Sequence, residues 1–123
     1  MATVGYLQGV DPLLLTWLAV RGVGTLPISN GFDNHGKFIN AITERDGVTL
    51  VLGYLHKVLR TQHQGFLVED ILESCFLCSV PVLIIVQRED HDAARERLAG
   101  AGERVVLVAP EDVHMEVTSR LGL

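Results

Sequence analysis

The chain has 123 residues, 48% of them hydrophobic, with a net charge of -5 and two cysteines. That length suits a single domain with one core, and the composition excludes a disordered chain. The acidic balance and scattered basic residues argue against nucleic acid or a membrane surface as partner, because both are bound by clustered Lys and Arg. No apolar run reaches the roughly 18 residues of a membrane span. Met1 to Gly5 lacks the basic start of a secretory signal, and two cysteines do not make a disulfide scaffold, so a cytoplasmic protein is expected.

In chain order, the first strand is predicted from Thr3 to Gln8. A helix follows, with Asp11 as N-cap, Pro12 at the first helical position and Gly22 as its stop. Leu14, Trp17, Leu18 and Arg21 share one face of it. The second strand is predicted from Gly24 to Ser29, and the second helix from about Asn34 to Arg45, with Gly47 as its stop. The third strand covers Val48 to Leu52. A long connection from Gly53 to Phe66 then reads as a short extra helix or a flap.

A third helix, Leu67 to Ser79, carries Val68, Ile71, Leu72, Cys75 and Cys78 on one apolar stripe. The fourth strand spans Pro81 to Gln87, and the fourth helix Asp90 to Ala99, with Asp90 as its expected N-cap. The fifth strand spans Arg104 to Ala109 and the last helix Glu111 to Leu121. The strands are continuously apolar, as parallel strands covered on both faces are. Alternation of strand and helix therefore predicts a single α/β domain. Its form is a three-layer α/β/α sandwich with a five-stranded, mainly parallel sheet, Rossmann-like or flavodoxin-like.

In such folds ligands sit at the carboxyl ends of the strands. Both lysines and four of the five histidines follow strand ends on that side. The richest segment is Ser29-Asn30-Gly31-Phe32-Asp33-Asn34-His35-Gly36-Lys37. Ser29, Asn30 and Gly31 offer hydrogen bonds, and Lys37 beside free helix-start amides favours an anion. His35 with Asp33 reads equally as an acid–base pair, and the whole segment equally as a capped loop. Tyr54, His56 and Lys57 aim at the same crevice, or else pack and solvate an ordinary connection. Arg88 is a further contact for a ligand, or part of a solvated helix start.

Several chemistries are excluded or disfavoured. No Walker pattern is present, and no G-x-G-x-x-G follows the first strand. Cys75-Phe76-Leu77-Cys78 has C-x-x-C spacing, but it lies at a helix end on the buried stripe, whereas redox pairs sit at helix starts. The third strand ends in Gly53-Tyr54, so the phosphoacceptor aspartate of response-regulator receiver domains is missing.

These residues suggest binding of a small anionic ligand, nucleotide-like, phosphate or carboxylate, with no metal and no identifiable cofactor. One alternative is a small enzyme using His35 or His56 with Asp33. Another is a homo-oligomeric interaction subunit, because the first helix carries Leu13, Leu14, Leu15, Trp17 and Leu18.

Overall fold

The computed structural model describes residues 2–7, 9–28, 47–59, 75–98 and 104–123. It contains β1 (Thr3–Tyr6), α1 (Pro12–Val20), β2 (Gly24–Pro27), β3 (Val48–Tyr54) and α2 (Leu55–Leu59). After these come β4 (Val82–Ile85), α3 (His91–Leu98), β5 (Val106–Val108) and α4 (Val113–Leu121). The strands form one sheet in the order β2-β1-β3-β4-β5, every pair parallel. This is the expected α/β sandwich, with the strand order of a Rossmann- or flavodoxin-like sheet. The chain moves outward one way from β1 to β2 and the other way from β3 to β5, so the order reverses between β1 and β3.

Continuous apolar strands supply a core on each face. Leu50, Leu52, Leu83, Ile85 and Val108 point to the side covered by α1 and α4, where they meet Leu14, Leu18, Val113 and Val117. Val51, Val82, Ile84 and Leu107 point to the other side, against Val58 of α2, Cys75, and Ala94 and Leu98 of α3. Neighbouring residues of one strand thus go to opposite cores, as the period of two requires. Two glycines let the strands and their neighbours close up. A Cβ on Gly5 would lie 2.5 Å from Ile28 Cδ1, and one on Gly53 would lie 2.6 Å from Leu7 Cδ1.

The amino ends of three strands are approached through left-handed residues: Gly22 before β2 (φ 83°), Gly47 before β3 (φ 63°) and Ser79 before β4 (φ 56°). At Gly22 the amide donates to Ala19 O and that of Val23 to Leu18 O, both at 3.0 Å, the paired bonds of a Schellman turn. The same pattern recurs at Ser79, whose amide donates to Phe76 O (3.1 Å) while Val80 N donates to Cys75 O (2.8 Å). There a serine occupies the position that glycine favours.

Asp11 caps α1 as anticipated, its Oδ1 accepting from Leu13 N at 2.9 Å. Other expectations need correction. Arg88–Asp90 forms a 3-10 turn, and α3 begins at His91, immediately after Asp90. Pro110–Asp112 likewise forms a 3-10 turn ahead of α4, so that helix starts two residues later than expected. Both turns carry acidic residues beside the free amides of a helix start, which tightens the first turn. β3 runs on through Gly53 and Tyr54, and α2 opens the connection after it as a short extra helix. The helix expected from Asn34 to Arg45, and residues 60–66 of the long connection, lie outside the described residues. Residues 75–77 are helical and end in the turn at Ser79, where Cys75 is buried and Cys78 packs at the core margin. Among the described residues no helix is long and apolar enough to cross a membrane.

Candidate functional site

Four strands deliver residues to one cavity at the carboxyl edge, on the face covered by α1 and α4. Its volume is about 310 Å³. After β1 the chain supplies Val10 and Asp11, and the first turns of α1 add Leu13, Leu14 and Trp17. The last residues of β3 and β4 supply Tyr54 and Ile85. After β5 come Pro110, Val113 and His114. The cavity therefore opens beside the point where strand order reverses, where parallel sheets leave a crevice because helices depart to opposite faces.

Local sequence explains the wall. Pro12 and the Asp11 cap start α1 immediately after the loop, which brings Leu13 and Trp17 to the rim rather than deeper under the sheet. On the far side, the Pro110 turn starts α4 so that Val113 turns inward and His114 stays at the surface. The two rims meet through rings: Trp17 and His114 are centred 4.3 Å apart in an edge-on arrangement of 64°. Arg21 lies over Trp17, its Cζ 3.7 Å from the ring centre, while its Nη1 donates to Trp17 O at 3.2 Å. Trp17 thus carries a guanidinium over its ring and an imidazole in edge contact with it.

The walls are mostly aliphatic and aromatic. Asp11 is the one carboxylate among the lining residues, and none of them is Lys or Arg. Its Oδ1 is engaged by the Leu13 amide; among the described residues Oδ2 accepts no hydrogen bond.

The sequence-predicted residues are distributed unevenly around this cavity. Tyr54 lines it. His56 is exposed in the first turn of α2, its ring 5.8 Å from that of Tyr54. Lys57 belongs to α2, but its side chain lies outside the described residues, as do Ser29, Asn30, Gly31, Asp33, His35 and Lys37 entirely. Arg88 stands on the 3-10 turn after β4, 66% exposed, and its Nη2 donates to Asp112 Oδ2 with Glu111 Oε1 at 3.9 Å. It thus ties the start of α3 to the start of α4. His91, the first residue of α3, has Nε2 3.0 Å from the carbonyl oxygen of Val86 and closes the end of β4.

Trp17 is the lining residue that periodicity hid, because helical spacing placed it on the same face as the buried Leu14 and Leu18. Asp11 and His114 were visible as polar residues after the first and fifth strands, but nothing singled them out. Among the described residues, no three His, Cys, Asp or Glu side chains are grouped as metal ligands would be. No family model and no curated protein matches this sequence.

Proposed function

We propose that this protein binds a small molecule in the carboxyl-edge cavity, as a binding or regulatory α/β domain. One observation carries the reading: residues from four separate chain segments converge on a mostly apolar cavity of about 310 Å³ beside the reversal of strand order. That size is at the lower end for small-molecule sites, which are mainly apolar with a few placed polar groups. Asp11, Tyr54 and His114 are those polar groups. Beside the cavity, the guanidinium of Arg88 is already paired with Asp112.

Thermal denaturation with a panel of nucleotides, organic phosphates, carboxylates, amines and neutral heteroaromatics tests this. A ligand at a hundred times its Kd stabilises the folded state by about 2.7 kcal/mol. The expected result is saturable stabilisation by at least one class, lost in Trp17→Ala. A panel with no saturable shift, or a shift that survives Trp17→Ala unchanged, removes the cavity as the binding site.

A further inference from the structure

Resting on the small-molecule reading above, we infer that the cavity takes a planar aromatic or heteroaromatic compound with a cationic, N–H-bearing edge, such as an amidine or ring amine. Among the described residues, its wall favours such a cation over a phosphate or carboxylate.

Three features of the wall point the same way. Tyr54 brings an electron-rich ring to it and Trp17 a second, one face of which Arg21 already covers; the uncovered faces of such rings attract flat ligands and cations. Asp11 brings the one carboxylate, with Oδ2 open to a donor. The third feature concerns two described guanidinium groups near the cavity, both already engaged. Arg88 is held by Asp112 and Glu111 on the turn beside Pro110, and Arg21 is stacked over Trp17. A phosphate entering here would lose its water against aliphatic side chains, face the Asp11 carboxylate, and find no ammonium or guanidinium on the wall. An amidinium meets the opposite situation, since a carboxylate accepts paired N–H donors from a planar cation.

The chain's one tryptophan is Trp17, so its fluorescence and indole N–H resonance report directly on the cavity. Benzamidine, benzoate and phenyl phosphate form a probe set of similar ring size and opposite charge. Asp11→Asn is the informative variant, because asparagine caps a helix as well as aspartate does and α1 should stay intact. We expect millimolar benzamidine to give a saturable Trp17 response, with benzoate and phenyl phosphate giving none. Asp11→Asn should weaken benzamidine about tenfold or more, the usual effect of losing a charged hydrogen-bond partner.

Equal or tighter binding of benzoate or phenyl phosphate overturns the inference. So does benzamidine binding unchanged in Asp11→Asn, or the absence of any benzamidine response. The broader reading is judged separately. If the metabolite panel still yields a ligand lost in Trp17→Ala, the cavity binds small molecules of another class; if the panel is blank as well, both fall.

Discussion

At the amino edge of the sheet the chain approaches β2, β3 and β4 through left-handed residues, and the Schellman bonds at Gly22 and Ser79 use up the last helical carbonyls. At the carboxyl edge it leaves through an Asp–Pro cap after β1, directly into α2 after β3, and through 3-10 turns after β4 and β5. The amino-edge turns are closed by their own backbone hydrogen bonds. Their side chains do little more than cover them, as Arg104 does with its Cζ 3.8 Å over Phe76. The carboxyl-edge turns start helices, which leave amides and inward side chains around a gap. The more enclosed hollow is therefore at the carboxyl end, where helices start; the amino end, where they stop, keeps a more open one of about 290 Å³ beside Phe76, Ser79, Val80, Pro81 and Arg104.

The severest way to break that comparison is to disturb β3 where it feeds the carboxyl end. Gly53→Val places side-chain atoms where Leu7 already lies, the closest 2.6 Å from an ideal Cβ. Overpacking of this kind costs about 1–3 kcal/mol. Tyr54 is the next residue, so the ligand response of Trp17 should fall along with the denaturation midpoint. A second test exchanges residues at the amino edge. Gly22→Ser puts a side chain on φ 83° with open space around it, so its cost of about 1 kcal/mol is purely one of backbone conformation. Ser79→Gly does the reverse and should stabilise by about 0.5–1 kcal/mol. Urea midpoints with unchanged slopes measure both. If the two changes do not have opposite signs, left-handed geometry is not what these turns share.

How much of this was legible follows from the same contrast. Continuous apolar runs such as Val48 to Leu52 and Val82 to Ile85 mark strands buried on both faces, and glycine at residues 22 and 47 marks the stops. The sheet was readable from these. The serine stop at residue 79 carried no such sign; its left-handed turn is closed by the Ser79 amide on Phe76 O and the Val80 amide on Cys75 O. The cavity was legible only in part. Asp11, Tyr54 and His114 stood after strand ends, but a cavity depends on the distance between α1 and α4, and no local pattern encodes it. Periodicity made Trp17 a core residue. It becomes a wall where its ring meets that of His114 on α4 at the cavity rim.

Asp11 joins the two properties of the carboxyl end, helix start and cavity wall, and substitution separates them. Asp11→Ala removes the acceptor for Leu13 N and should cost about 1 kcal/mol, whereas Asp11→Asn should leave stability nearly unchanged. If Asn costs as much as Ala, the carboxylate charge rather than the cap holds α1 in place.

The smallest expected effect belongs to Arg88, the ion-pair link between the starts of α3 and α4. Its guanidinium is 66% exposed, Glu111 is 61% exposed, and water screens the attraction to both acids. Exposed pairs contribute about 0.2–1 kcal/mol, so Arg88→Ala should lower the midpoint only slightly. Its informative consequence is electrostatic. Without that guanidinium, Glu111 and Asp112 stand uncompensated on the turn that begins with Pro110, and the cavity mouth becomes more negative. A cationic probe should then bind somewhat more tightly, most visibly at low ionic strength, where charges several ångströms apart still interact. Weaker benzamidine binding in Arg88→Ala would mean that this arginine positions the Pro110 wall, and the two helix starts would then be coupled through the ion pair rather than through the sheet beneath them.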